Sequence, residues 1–340
     1  MARPRRTATV AAALAAAVVV ALIAIPAAIA AFGGKAQNSG DIVTAVPDFT
    51  PPAITATVAA KSLGGVTGFV RKGGAYFVYA NVSADTGNPA SGINTVKANV
   101  AELTTGQTEA VLTAGTYTAG GVTYGYRSAE LTANATVEGA KSYSVIATDK
   151  AANASTLKGT ATVDNVVPTA ADVQTANGGT TVGKPEEKDS ITYTFSEPID
   201  PQSILAGWNG ASTNVVVRMV DNGLLGLPTG NDELFVYNAA NTATLPFGAV
   251  SMARGDYVAG LLGGSINFGA SGTKTTMVMS GNSITITFGT MAAEGVLVGP
   301  TTAAAGAAMV WTPVATPYDR AGNVMSNATA TQSGAVHKNF

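Results

Sequence analysis

Residues 143–163 read YSVIATDKAANASTLKGTATV and contain the pattern that decides the fold. Apolar and polar side chains alternate on both sides of the central Asp149–Asn153 turn, and a period of two is typical of half-buried β-strands. An aspartate that opens a turn accepts hydrogen bonds from backbone N–H groups two and three residues on, and Asn at the end tolerates positive φ. The segment therefore predicts a β-hairpin held by Asp149.

The same alternation extends back to residue 54. Seven strands are predicted here, separated by Gly, Asn, Asp and Pro clusters: 54–58, 76–82, 96–100, 110–113, 122–131, 143–148 and 157–163. None of these segments has the length and 3.6-residue period of a helix. Seven strands in roughly 120 residues fit a Greek-key β-sandwich.

The pattern breaks at residues 165–169 and then restarts. Strands are predicted at 191–195, 215–220, 234–237, 257–262, 276–279, 284–288 and 309–314. Gly281-Asn282 predicts a hairpin turn, and Asp200-Pro201 predicts one helical turn capped by the Asp side chain. We interpret the Gly-rich stretches 221–231 and 263–272 as insertions.

An internal repeat connects the two strand series. The sequence DKAAN at 149–153 recurs as DRAGN at 319–323, which is 170 residues later. Both copies precede a Ser/Thr-rich segment. The second copy therefore predicts the last hairpin turn of a second sandwich, with Asp319 in the role of Asp149.

These residues also carry a family resemblance. DFTPP at 48–52, SGINTV at 91–96 and VIATDKAAN at 145–153 resemble the framework motifs of bacterial Ig-like domains of exported surface proteins. Ala152 stands where that family usually has Gly. ITYTFSEPIDP at 191–201 is similar to the Ig-like domain of S-layer and adhesin-like proteins.

The similarity to the S-layer and adhesin-like type includes YDRAGN at 318–323, and the whole resemblance spans residues 47–335. It implies an all-β chain of two tandem Ig-like Greek-key β-sandwiches and display at a bacterial cell surface. It implies no ligand.

The first 31 residues predict an N-terminal hydrophobic signal helix. Arg3, Arg5 and Arg6 precede an uncharged run that is broken by Pro26, and Ala28-Ile29-Ala30 offers a small-x-small cleavage pattern. Cleavage is the favoured interpretation, and an uncleaved membrane anchor is the alternative. We therefore expect an extracellular or cell-surface location.

The predicted organisation has four parts. Residues 1–31 are the signal peptide or anchor and 32–48 a linker, followed by Ig-like domain 1 at 49–167 and Ig-like domain 2, with its Gly-rich insertions, at 168–340. The chain has no cysteine, so the stability of these domains must come from core burial and sheet hydrogen bonds without disulfides.

Charge argues against nucleic acid as a partner. The leader contains three of the 19 basic residues and no acid, so the remainder carries 16 basic against 21 acidic residues. A phosphate-binding surface needs clustered Lys and Arg, which this balance does not supply.

The inventory of reactive residues predicts that the protein is not an enzyme and holds no cofactor. His337 is the single histidine and lies near the C-terminus, which argues against a Ser-His-Asp triad. The acidic pairs Glu197 with Asp200 and Glu186 with Glu187 could serve glycoside hydrolysis, but turn and loop roles are favoured for both.

Calcium is weighed separately because it needs six to eight oxygen ligands. Asp149, Asn153 and Asp164 are the candidate ligands near the domain boundary, but their runs lack the acidic density of a strong site. Turn capping is the favoured role of Asp149, and the prediction is no metal site.

The function predicted from these features is a non-catalytic, exported surface protein that acts as a structural spacer, assembly unit or adhesion module. The alternative is an extracellular carbohydrate-binding module, in which Trp208 or Trp311 could stack on sugars, although core packing is favoured for both. Expected partners are other surface or extracellular proteins or glycans, or further copies of the chain. A membrane would be contacted only through an uncleaved leader.

Overall fold

The fold was analysed in a computed structural model that describes residues 47–223, 227 and 229–340. The predicted leader at 1–31 and all but the end of the predicted linker at 32–48 lie outside these residues. Within the described ranges, no helix combines the length and apolar character needed to cross a bilayer.

Nine strands form the first half of the described chain: β1 (Ile54–Lys61), β2 (Phe69–Val70), β3 (Ala75–Val82), β4 (Ile93–Asn99), β5 (Ala110–Ala119), β6 (Val122–Ser128), β7 (Leu131–Thr132), β8 (Gly139–Asp149) and β9 (Ala154–Val163). All seven predicted strands of this half are confirmed. The sequence missed the two-residue strand β2 and the separation of β7 from β6.

These strands follow the order β1-β3-β6-β5-β4-β8-β9-β2, with β7 paired to β3. Strand β5 joins two layers, because its first residues pair with β4 and residues 112–119 pair with β6. Strands β1 and β9 lie in contact without pairing. The layers enclose a core that contains Tyr76, Val78 and Val145, all buried.

Thirteen strands and one helical turn form the second half: β10 (Ala170–Ala176), β11 (Ser190–Phe195), α1 (Pro201–Ile204), β12 (Thr213–Asp221), β13 (Glu233–Asn238), β14 (Ala249–Ser251), β15 (Val258–Ala259), β16 (Gly264–Phe268), β17 (Thr275–Ser280), β18 (Ser283–Thr287), β19 (Met291–Glu294), β20 (Gly299–Pro300), β21 (Val310–Thr312) and β22 (Ala330–Thr331). The predicted turn at Gly281-Asn282 is confirmed, since it joins β17 to β18. The helical turn is confirmed as well.

The larger sheet of this half has the order β10-β11-β18-β17-β12-β13-β14-β21-β22, and β16 pairs with both β12 and β19. Its two ends, β10 and β22, come into contact, so the sheet curves around the core. Trp311 lies at the centre of that core, with ring centroids 5.1 Å from Tyr193 and 5.2 Å from Phe195. The chain is an all-β protein of sandwich type.

Residues 263–272, interpreted from the sequence as an insertion, are not a loop throughout but contain a core strand. Residues 264–268 form β16, which pairs with β12 along five residues. Its Ile266 and Phe268 are fully buried in the core. Glycine-rich composition suggested a loop, but here it flanks a strand, and Gly264 takes a positive φ of 142° that other residues rarely adopt.

Other differences are smaller. The predicted strand at 257–262 shortens to β15, because the chain turns through residues 260–263 toward β16. The sequence also missed β10, β14, β19, β20 and β22, which are short or carry weak alternation. The predicted insertion at 221–231 begins inside β12, which includes Asp221.

Candidate functional site

The two Asp-Asn turns share two side-chain hydrogen bonds, and Asp319 Oδ1 accepts two more, from the N–H groups of Ala321 and Gly322. Asp149 Oδ1 accepts from the backbone N–H of Asn153 and its Oδ2 accepts from Asn153 Nδ2, both at 2.8 Å. Asp319 Oδ1 accepts from the N–H of Asn323 at 2.8 Å and its Oδ2 from Asn323 Nδ2 at 2.7 Å. The prediction that each aspartate holds its turn is confirmed, but the predicted donors two and three residues on are present only at Asp319, and the backbone donor to Asp149 is the N–H four residues on.

Each turn is also tied to the segment that precedes the first strand of its half. Asn153 Nδ2 donates to the carbonyl oxygen of Asp48 at 3.0 Å, and Asn323 Nδ2 donates to that of Asp164 at 2.9 Å. The last hairpin of each half is therefore hydrogen-bonded to the start of the same half. We call these two contacts, Asn153 to Asp48 and Asn323 to Asp164, the clasps.

One difference between the copies has a steric cost. The fourth residue of each turn adopts a left-handed conformation, with φ of 71° at Ala152 and 95° at Gly322. A Cβ atom in this region costs about 1 kcal/mol, which glycine avoids. The first turn is therefore the more strained of the two.

Three carboxylates gather at each clasp. Oxygen atoms of Asp48, Asp85 and Asp149 lie within 4.8 Å of one another. A second set of three, Asp164, Glu197 and Asp319, meets the same limit. In each set the members come from equivalent places: before the first strand, after the strand paired with it, and from the Asp-Asn turn.

The carboxylates of the first cluster, Asp48, Asp85 and Asp149, are stabilised mainly by hydrogen bonds from backbone N–H groups. Asp48 accepts from Thr50 and Ser91, and these hydrogen bonds hold its pKa below the usual value. Asp85 accepts from Gly87, Ser91 and Gly92. Donors of this kind stabilise ionised carboxylates without a metal.

The second carboxylate cluster has fewer donors and stronger mutual repulsion. Burial, followed by the charges of Asp164 and Asp319, raises the pKa of Glu197 to about 7. Burial also raises the pKa of Asp319. Within the described residues, Glu197 Oε1 is buried without a hydrogen-bond partner.

The structure divides the three calcium candidates between the two clusters. Asp149 and Asn153 belong to the first and Asp164 to the second. Oxygen-only sets of this kind suit hard cations such as Ca²⁺. The hydrogen bonds within each turn already account for the buried position of its aspartate.

Sequence reasoning missed Asp48, Asp85 and Glu197 as members of these clusters. A signal was present for one pair, because Asp48 and Asp164 each precede a proline by four residues, at Pro52 and Pro168. The loop positions of Asp85 and Glu197 share no local motif, so only the fold brings them to the clasp.

A buried ion pair joins the two halves. Lys61, at the end of β1, donates from Nζ to Asp200 Oδ2 at 2.6 Å and to the carbonyl oxygens of Arg320 and Val66 at 2.7 and 2.9 Å. The side chains are only 4% and 0% exposed. Asp200 also accepts from the N–H of Val66 and caps α1 through the N–H of Gln202.

The ion pair requires the backbone at Gly65 to lie close to the Asp200 carboxylate. A Cβ on Gly65 would lie 2.6 Å or less from both carboxylate oxygens of Asp200, so a side chain there would displace it. Burial lowers the pKa of Lys61, and the hydrogen bond and charge of Asp200 oppose that shift. A buried charge is tolerated only when paired and hydrogen-bonded in this way.

One further contact crosses between the halves, because the Arg320 guanidinium lies over the Phe69 ring at 5.8 Å. We call the contacts that cross between the halves, with Lys61–Asp200 at their centre, the junction. Beside it, two hydrogen bonds hold the end of the first half in place: the N–H of Asp164 donates to the Val70 carbonyl oxygen at 3.0 Å, and the N–H of Lys72 donates to Asn165 Oδ1 at 2.6 Å.

The acidic pairs considered for hydrolysis do not face a common cleft. Asp200 is committed to Lys61, whereas Glu197 points to the second carboxylate cluster. Glu186 accepts from the N–H groups of Thr180 and Thr181 and pairs with Lys184, so it stabilises the loop that contains these residues. These contacts favour the structural roles predicted from the sequence.

Both tryptophans are buried, which confirms core packing. Trp311 is fully buried and its indole N–H donates to the Phe247 carbonyl oxygen at 2.6 Å. Trp208 donates to the Ala211 carbonyl oxygen at 2.5 Å.

Comparisons with known proteins give no family and, among solved structures, a weak likeness to an adhesin. No protein-family profile matches the sequence. No curated protein matches it either. Among solved structures, a chain of FdeC, described as a broadly conserved Escherichia coli adhesin that elicits protection against urinary tract infections, is 12% identical with a TM-score of 0.22.

That similarity covers 83% of this chain and 66% of the adhesin chain, just under two thirds of the latter. Function is therefore proposed from contacts within this chain.

Proposed function

We propose that this chain is an exported bacterial surface protein in which two Ig-like domains, at 49–167 and 168–340, act as a rigid spacer or adhesion unit. Its working property is the fixed orientation of one domain relative to the other. Adhesion is the activity named for FdeC, and for this chain it forms part of the proposal.

The junction is the observation that carries this proposal. A flexible linker would leave Lys61 and Asp200 in water, where an exposed ion pair contributes about 0–1 kcal/mol. Here both charges are buried and every Lys61 N–H has an acceptor. An interface that buries a paired charge breaks only at the cost of leaving a charge unpaired, so it resists bending.

Spin-label distances test the rigidity directly. Because the chain has no cysteine, Thr113→Cys and Thr287→Cys place one label on an exposed site of each half. Pulsed electron resonance should give one narrow distance distribution. Lys61→Met should broaden it, whereas Lys97→Met, which removes an exposed ion pair, should not.

Two outcomes would contradict the proposal. A broad distribution in the doubly labelled parent would show that the junction does not fix the domains. Protease treatment of intact cells that left the full-length chain undigested, while digesting a known surface protein, would contradict surface display.

Carbohydrate binding is the second candidate, and one observation favours it. A groove of about 500 Å³ at the junction is lined by Trp208, Asn209 and Gln202 together with Asp200. Domain interfaces are frequent ligand sites, and amide side chains recognise sugar hydroxyls. A glycan array with the parent and with Asn209→Ala tests it: binding lost in the variant supports a lectin role, and an array without signal contradicts it.

A further inference from the structure

Two aspartates interrupt the apolar row that β12 and β13 present to the core of the second half. In the register of this pair, Val217 lies opposite Val236 and Met219 opposite Leu234, all fully or almost fully buried. The next residues on the same face are Asp221 and Asp232. Opposite residues of an antiparallel pair have Cβ atoms about 4.5–5.5 Å apart, so the two carboxylates are neighbours.

Both carboxylates are buried and each has one oxygen without a partner. Asp221 is 6% exposed and Asp232 is 0% exposed. Within the described residues, neither Asp221 Oδ2 nor Asp232 Oδ1 has a hydrogen-bond partner. The other oxygens are satisfied, because Asp221 Oδ1 accepts from Gly223 and Asp232 Oδ2 accepts from Tyr257 and Val258.

A glycine leaves room beside the free oxygen of Asp221. A Cβ added to Gly260 would lie 3.2 Å from Asp221 Oδ2 and 2.7 Å from the Gly263 carbonyl oxygen. A carboxylate oxygen and a backbone carbonyl oxygen therefore face the same small space. Both are ligands that hard cations prefer.

The charge of the pair needs compensation. Burial, together with the charges of Asp221 and Asp256, raises the pKa of Asp232 to about 6. The charge of Asp256 is already paired with Arg254, and no cation contacts Asp221 or Asp232 among the described residues. At neutral pH two adjacent buried carboxylates without a cation are unfavourable.

We propose that Asp221 and Asp232 form a buried site for one divalent cation that prefers oxygen ligands, Ca²⁺ or Mg²⁺, with the Gly263 carbonyl oxygen as a third ligand. The ion would join β12, the start of β13 and the turn before β16. This site is separate from the two carboxylate clusters at the clasps and does not depend on the proposed surface function.

Titration calorimetry on the purified, EDTA-treated full chain tests the site, with CaCl₂ and MgCl₂ as separate probes at pH 7.5. Asp221→Asn should bind one ion fewer per chain than the parent. The matched control Glu233→Gln removes a neighbouring carboxylate on the opposite face and should leave the number unchanged. Ions bound at the clasps would be counted equally in the parent and in the variants, so they do not affect the difference in the number of bound ions.

Thermal unfolding supplies a second readout, because Asp221→Asn should raise the unfolding temperature without metal and lower it, relative to the parent, with metal. Without metal, Asp221→Asn should unfold at a higher temperature than the parent, since it removes repulsion within the pair. With the better-bound ion at about 100 times its Kd, the parent should gain about 5–10 °C and the variant should lose that gain.

Two results would overturn the proposal. One is an equal number of bound ions in the parent and in Asp221→Asn. The other is a parent whose unfolding temperature responds to neither ion at pH 7.5.

Discussion

Replacing Lys61 by methionine should destabilise the protein by about 3 kcal/mol. The variant keeps the length of the side chain and removes its charge, so Asp200 stays buried without its cation. Breaking a buried pair from one side costs about 3–5 kcal/mol. The low end applies because Asp200 still accepts from the N–H groups of Val66 and Gln202.

Thermal unfolding followed by circular dichroism measures this loss. A change of about 3 kcal/mol corresponds to a Tm lower by about 6–12 °C for a cooperative unit of this size. Lys97→Met is the matched control, because the Lys97–Glu109 pair is exposed and should change stability by less than about 0.5 kcal/mol.

A double-mutant cycle isolates the pairing from other effects of the substitution. Adding Asp200→Asn to Lys61→Met should recover part of the lost stability, because no buried charge then remains unpaired. If Lys61→Met lowers the Tm no more than Lys97→Met, or if the cycle shows no coupling, the junction does not depend on this pair and the reasoning is refuted.

Three further changes test the clasps and the core. Asp319→Ala should cost about 2–3 kcal/mol in urea unfolding, equally in EDTA and in CaCl₂, because four hydrogen bonds to its carboxylate are lost. A loss seen only with calcium would indicate a metal site. The free energy of unfolding of the parent should fall as pH rises from about 5 to 8, because the raised pKa means that Glu197 binds its proton more tightly in the folded state. Glu197→Gln should make the free energy of unfolding less dependent on pH. An unchanged pH dependence in this variant would contradict the raised pKa of Glu197. Phe268→Ala should cost about 3–5 kcal/mol, and a near-neutral effect would contradict the core position of β16.

Strand positions were predictable wherever alternation was strong. Tyr76–Val82 and Ile191–Phe195 show clear period-two patterns, and both are strands with buried alternate side chains. The fold contradicted the sequence at β16, where the alternation is hidden in a Gly-Ser-Ile-Asn-Phe run and pairing with β12 overrides composition.

The contacts between distant residues could not be predicted. Lys61 ends a strand, where a lysine usually faces solvent, and only the approach of Asp200, 139 residues away, makes it a buried group. Asp221 and Asp232 continue a core-facing row, but that row becomes visible only once the β12–β13 register is known. Turn chemistry at Asp149 is local, and this is why it was predictable.

The β8–β9 hairpin determines how the first half would respond to tension. The chain leaves β9 at Asp164 toward the second half, and β9 is paired with β8 along all ten of its residues and with β2 at its end. Hydrogen bonds of an antiparallel ladder run perpendicular to the strands. A pull on Asp164 along the axis of β9 would therefore load the whole ladder in shear instead of unzipping it bond by bond, and rupture would require many bonds to fail together.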